Sequence, residues 1–154
     1  MTPKPFWWIN KSTANCMEAV RNYYESTPRE KWTEDGLKRK LSGLLNLLKK
    51  YKSDELHGVQ EFQARLQLLL EAMNVKPNGN RDEAIRLLLR AARLHYDEDQ
   101  TLAGIWHRRC ETDNCWDQQN QVAAVVWEEH SSSPIRVQLL NAADTLQRQA
   151  EELL

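Results

Sequence analysis

Three soft side chains fall within nine residues of the run "GIWHRRCETDNCW": His107, Cys110 and Cys115. Thiolates and imidazoles are the usual zinc ligands, and zinc takes four donors in a tetrahedron, commonly from two closely spaced pairs. The pattern here is H-x2-C-x4-C, and on a helix His107 and Cys110 share a face. Cys115 lies past the "TDN" turn, and a fourth ligand has to come from His130, His95 or Cys16 elsewhere in the chain. No second C-x2-C or H-x3-H pair accompanies the run, so His107, Cys110 and Cys115 make a weak metal candidate. The simpler reading places Trp106, Cys110 and Trp116 in the core or boundary of a helix corner, free cysteine being among the most buried residue types. A redox pair expects C-x-x-C, not C-x4-C. No bound metal and no cofactor is expected.

A second run, "RLLLRAARLH", contains Arg90-x4-His95, with Arg86 one turn earlier. An R-x4-6-H spacing resembles the motif of HEPN-type ribonucleases. The resemblance covers this short run alone and implies a helical, dimeric ribonuclease. In it His95 would be the general acid or base, and Arg90 would stabilise charge building on the phosphate. The alternative for the same arginines is structural: Arg86 with Asp82 and Arg93 with Asp97 stand at i,i+4, where helical ion pairs form.

Two basic rows could track a phosphate backbone. At 100° per residue, Lys38, Arg39, Lys49 and Lys50 share one sector of a helix, opposite a leucine stripe; Arg86, Arg90 and Arg93 form a second row. The competing reading is a solvated helix face. Ahead of these, "PKPFWWIN" sets Phe6, Trp7 and Trp8 side by side, which no regular element can turn to one side. This aromatic arm, residues 1–11, either closes the core or offers anchors to a partner, tryptophan being enriched among binding hot spots.

No nucleophile elbow, P-loop or paired-acid constellation is present. The expected function is therefore a non-catalytic helical protein-binding module: an adaptor, regulator, inhibitor or small subunit of a larger complex. The alternative is a nucleic-acid-associated helical subunit using the basic rows, and a remote third is the HEPN-like ribonuclease. A protein partner or self-association is expected, nucleic acid is possible, and no membrane is involved.

The elements that must position these residues are helices. Apolar residues recur mostly at helical spacing, and the prolines (Pro3, Pro5, Pro28, Pro77, Pro134) sit at boundaries. The spacing predicts a helix from Ser12 or Thr13 to about Tyr24, and Pro28 opens a short turn. Thr33 caps a stronger helix whose stripe is Leu37, Leu41, Leu44, Leu48 and Tyr51. Ser53 caps another, with Val59, Phe62, Leu66, Leu69 and Met73 facing in. Residues 74–80 are the main internal loop. Residues 81–96 and about 98–111 read as two further helices, the first burying Ile85, Leu88, Leu89 and Ala92. The apolar run Val122–Trp127 reads as buried helix, since the chain offers a lone strand no partner. Ser133 and Pro134 start the last helix, whose association stripe is Ile135, Leu139, Ala142 or Ala143, Leu146, Ala150 and Leu153. The expected fold is all-α: one domain over 1–154, a bundle of about six to seven helices with an aromatic N-terminal arm.

At 154 residues the chain can bury a core without staples. No apolar run reaches the ~20 residues of a membrane span, and the start lacks the apolar core of a signal peptide, so a cytoplasmic location is expected. Charge is polarised within a net −1: residues 1–53 hold eleven Lys and Arg against five Asp and Glu, and residues 110–154 hold two against eight. Such complementary ends either pack on each other or meet a charged partner.

Overall fold

The computed structural model describes residues 11–25, 33–51, 57–75, 79–113 and 119–154, with side chains at 11–12, 24–25, 110–113 and 119–124 left aside. Six helices occur among the described residues: α1 (Lys11–Glu25), α2 (Glu34–Leu48), α3 (Val59–Met73), α4 (Gly79–Asp113), α5 (Gln119–Ser131) and α6 (Pro134–Leu153). The protein is an all-α helical bundle, and no described helix is long and apolar enough to cross a membrane. The aromatic arm, the Pro28 turn, the Ser53 cap and Cys115 lie outside the described residues.

Amphipathic spacing accounts for most of the core. On α2 the stripe Leu37, Leu41, Leu44 and Leu48 is buried, and the neighbouring Leu45 joins it. On α3 Val59, Phe62, Leu66, Leu69 and Met73 all turn inward. The first half of α4 buries Ile85, Leu88, Leu89 and Ala92. Capping agrees at α2, where the Gly36 amide donates to Thr33 Oγ1 at 3.0 Å and Glu34 and Asp35 occupy the first turn. Arg81, at the start of α4, is buried. It donates to Glu34, to the Met73 carbonyl at 2.8 Å and to the Val75 carbonyl at 2.8 Å, locking the α3–α4 corner onto α2.

Two expectations need correcting. Residues 79–113 are one helix of 35 residues, not two. The sequence "YDEDQ" looks like a boundary because three acids interrupt the apolar stripe, yet no proline breaks the backbone there. Glu98 and Asp99 are themselves buried. The second correction concerns α6. The inward positions include Ala143 and Ala150, both 0% exposed, while Ala142 is exposed and Ile135 is 46% exposed. Leu139 is half-buried, and Leu146 and Leu153 pack partly against the core. The face that α6 buries therefore follows Ala143, Leu146, Ala150 and Leu153, and α4 is the helix it lies against most extensively. The alanines permit close approach of two backbones, so the chain itself covers most of this face. Val122–Trp127 is helical, within α5.

Besides α6, α4 also packs against α1, α3 and α5. It passes through two apolar clusters. The larger gathers α1, α2, α3, the first half of α4 and the end of α6; the smaller gathers Leu102, Ile105 and Trp106 of α4 with Val126 and Trp127 of α5. Between them, α4 carries His95, Glu98 and Asp99.

The register of α6 can be tested directly. Ala143→Leu should destabilise the fold by ~1–3 kcal/mol through overpacking. Ala142→Leu, one residue away, should stay within ~0.5 kcal/mol of the parent. Chemical denaturation of the two variants reads the difference; equal effects would mean that the assigned face is wrong.

Candidate functional site

Glu98 sits where α4 crosses from one apolar cluster to the other, and its side chain is 1% exposed. A carboxylate there needs donors. His57, in the turn that leads into α3, brings Nε2 to 2.8 Å from Oε1 and 2.9 Å from Oε2. His130, near the end of α5 and 0% exposed, brings Nε2 to 2.6 Å from Oε1. Arg136, in the first turn of α6, approaches Oε1 with Nε at 3.7 Å. One carboxylate on α4 thus gathers side chains from the turn before α3, the end of α5 and the start of α6.

Burial by itself pushes the Glu98 carboxyl up. The hydrogen bonds from His130 and His57, together with their charges, outweigh that and hold it down to about 2. Since the carboxylate is ionised, both Nε2 atoms serve as donors. Nδ1 of His130 is buried without a hydrogen-bond partner among the described residues.

A second polar group flanks the first. Arg65 of α3, itself buried, donates from Nε to His95 Nδ1 at 2.9 Å, from one terminal nitrogen to Gln147 at 2.7 Å and from the other to Asp144 at 2.5 Å. This ties α3 and α4 to the outer face of α6. His95 must accept with Nδ1, so its proton sits on Nε2, beside the Gly58 backbone with which the ring hydrogen-bonds. Burial, reinforced by the Arg65 charge, lowers the His95 pKa to about 4. The turn needs glycine here: Gly58 has φ +61°, and a Cβ would lie 3.1 Å from His95 Nε2.

A cleft of about 400 Å³ has His57, Glu98, Arg65, Trp127, Arg136 and Leu140 among its walls, while His130 lies fully buried behind Glu98. The Trp127 ring packs edge-on to the His57 ring, with centroids 4.7 Å apart. Nε2 of His57, Nε2 of His130 and a Glu98 oxygen all lie within 4.8 Å of one another. Two imidazoles and one carboxylate, converging beside an open cleft, are a donor set for a divalent transition ion.

The residues singled out from the sequence are dispersed. His107 is exposed on α4 and Cys16 is buried between α1 and α2, so neither converges with the other. The side chain of Cys110 and all of Cys115 lie outside the described residues. Arg90 is exposed whereas His95 faces Arg65 in the interior, so the HEPN-like spacing does not bring the two into one site. The basic rows are divided. Arg39, Lys49 and Lys50 are exposed, but Lys38 hydrogen-bonds Asn74. In the second row Arg86 and Arg90 are exposed, while Arg93 bonds Asp97 at 3.0 Å and the Met17 carbonyl at 3.0 Å. The expected Arg93–Asp97 pair is present; Arg86 lies 3.9 Å from Glu83 in place of Asp82.

Sequence reasoning did not find His57 or Glu98, and it considered His130 for a different cluster. The one available signal was Glu98 itself, an acid at an inward position of an apolar helix. Comparison with known proteins adds nothing to this geometry: no family model, no curated protein and no solved structure matches the chain.

The two shifted groups set an acid sensitivity. His95 binds a proton more readily unfolded, near the ordinary histidine value of 6.5, than folded, at about 4. The unfolded state therefore binds more protons as pH falls through that window, and stability drops by about 3 kcal/mol across it. Glu98 contributes stability above the ordinary glutamate value of 4.5 that is lost as pH falls towards about 2. Thermal melting should fall steadily below pH 6.5. His95→Gln keeps an acceptor for Arg65 and removes the titration, so its melting temperature should be flatter between pH 6.5 and 4. A variant with the parental slope would place the acid sensitivity elsewhere.

Proposed function

We propose that this protein binds a divalent first-row transition ion through His57 Nε2, His130 Nε2 and the Glu98 carboxylate, and that the ion's open position faces the cleft beside Trp127 and Arg136. The observation that carries this reading is the convergence of the three donors within 4.8 Å, on one buried carboxylate, from three separate segments. Nothing local in the sequence requires it. A buried Glu with two histidines is also a costly way to fill a core, since its desolvation must be repaid by good geometry. An ion repays it differently, because both ring nitrogens then present lone pairs to the metal and the carboxylate neutralises part of its charge.

Three protein ligands with one position left open is the pattern of an ion that acts on an exogenous ligand, whereas a structural zinc is closed by four. Such an ion supplies Lewis-acid chemistry, polarising a bound oxygen or lowering the pKa of a bound water. The chain's own part is to hold the donors, to exclude bulk water around Glu98 and to shape the cleft. The function is thus that of a helical metalloprotein acting on a small molecule.

A second reading, a docking module for another protein, is favoured by a separate observation. Val125 on α5 and Ile135 and Val137 at the start of α6 are 42%, 46% and 48% exposed. Substituting Ile135 and Val137 by Ser should leave folding intact; if these residues carry association, light scattering will show a smaller assembly than the parent forms.

Metal titration by calorimetry, with elemental analysis of the loaded protein, tests the main reading. One Zn²⁺ or Co²⁺ per chain is expected. Loss of an inner ligand in His57→Ala or His130→Ala should weaken it by at least ~100-fold, more than outer-shell changes typically do. Cys110→Ser and Cys115→Ser should leave it unchanged. No stoichiometric ion, or an ion retained by the double histidine variant, would overturn the reading.

A further inference from the structure

The cleft holds two arginines in contrasting states. All three nitrogens of Arg65 are engaged by His95, Gln147 and Asp144. Arg136 makes no hydrogen bond among the described residues; its buried Nε forms a longer ion pair with Glu98 at 3.7 Å. Its guanidinium carbon stands 5.9 Å from the centre of the Trp127 ring. A guanidinium carries its donors in a planar fork that matches two oxygens of a carboxylate or phosphate, so Arg136, held to Glu98 only by a 3.7 Å ion pair and by no hydrogen bond, keeps its fork for an oxyanion.

Charge argues the same way. A divalent ion with Glu98 as its one acidic ligand leaves the centre positive, and Arg136 adds to that. Asp144, the acid on the α6 wall, is already committed to Arg65. Glu61 also lines the cleft, but it is exposed to solvent, where screening weakens its field. The rest of the wall is unlike an inorganic anion: Trp127 and Leu140 offer an apolar surface, and about 400 Å³ is far more than a phosphate fills.

We infer that the cleft takes a small organic oxyanion, its charged head bridging the metal ion and the Arg136 guanidinium and its apolar body lying against Trp127 and Leu140. This rests on the metal reading above and names the ligand class of the same site. Arg136 acts here as a ligand-binding residue, and Trp127 as the wall that separates an organic anion from a bare one.

Protein loaded with Co²⁺ provides the test, since the ion's visible absorption reports its coordination. Benzoate, phenyl phosphate, acetate and inorganic phosphate are titrated separately. One or both aromatic anions should change the spectrum and bind at least ~10-fold more tightly than the corresponding bare anion, each methylene-sized increment of apolar contact being worth a sizeable part of that factor. Which aromatic anion binds better distinguishes a carboxylate from a phosphate head. Arg136→Gln should weaken the anion by at least ~10-fold, the loss of one charge-assisted pair, while Co²⁺ still binds. Arg136→Lys should recover part of it. Arg148→Gln, on the exposed face of α6, is the control and should change nothing. Failure to bind Co²⁺ removes the metal reading and this inference together. A Co²⁺ site whose spectrum ignores every anion, or responds identically in Arg136→Gln, overturns this inference alone and leaves the metal reading standing.

Discussion

The Glu98 carboxylate is the constraint on which this bundle is organised. An ionised acid with 1% exposure is unfavourable unless its oxygens are met by donors, and a lone buried charge costs several kcal/mol. His57 and His130 meet them, and they come from the turn before α3 and from the end of α5. Satisfying one side chain therefore fixes where α5 lies on α4 and how the chain enters α3. Arg136 adds the beginning of α6 to the same point. Removal of either histidine would leave part of the carboxylate unmet, which is why such a network acts as a unit.

Its location between two apolar clusters gives it mechanical meaning. The larger cluster holds α1, α2 and α3 against the first half of α4 by leucine packing, and the smaller holds α5 against the second half through Trp106, Val126 and Trp127. Hydrogen bonds to a carboxylate are directional and tolerate little sliding, so the polar layer adds to the register that the close-packed apolar clusters already constrain. Arg65 does the same for α6 through Asp144 and Gln147, and Gly58 lets the turn approach His95 closely enough to complete the layer.

The proposed metal site draws on the same three side chains that order the fold. An ion at their centre would replace N–H···O contacts of 2.6–2.9 Å by three bonds to one atom, with the rings in their other tautomer. Metal and proton then compete for the same nitrogens, and the core changes from a hydrogen-bonded layer to a coordinated one without changing its participants. Arg136, which holds Glu98 by an ion pair and not by a hydrogen bond, stands where a ligand would meet such an ion.

Local physics made much of the fold legible. The inward faces of α2, α3 and the first half of α4 follow residue by residue from apolar spacing, because a 3.6-residue period leaves one answer for which side turns in. The Thr33 cap and the Pro134 start follow from single-residue chemistry. Where spacing allowed two answers, as for Ala142 and Ala143 on α6, only the packing against α4 chose between them. The acids at 97–99 misled for a related reason: an interruption of the stripe looks the same whether a helix ends or a buried carboxylate begins. The site lay beyond the sequence, because His57 and His130 stand 41 and 32 residues from Glu98 and no short motif spans such distances. The sequence by itself determined the all-helical character and the buried faces of α2, α3 and the first half of α4. Tertiary structure alone decided which polar groups share the interior, since a buried charge selects its partners by proximity in space.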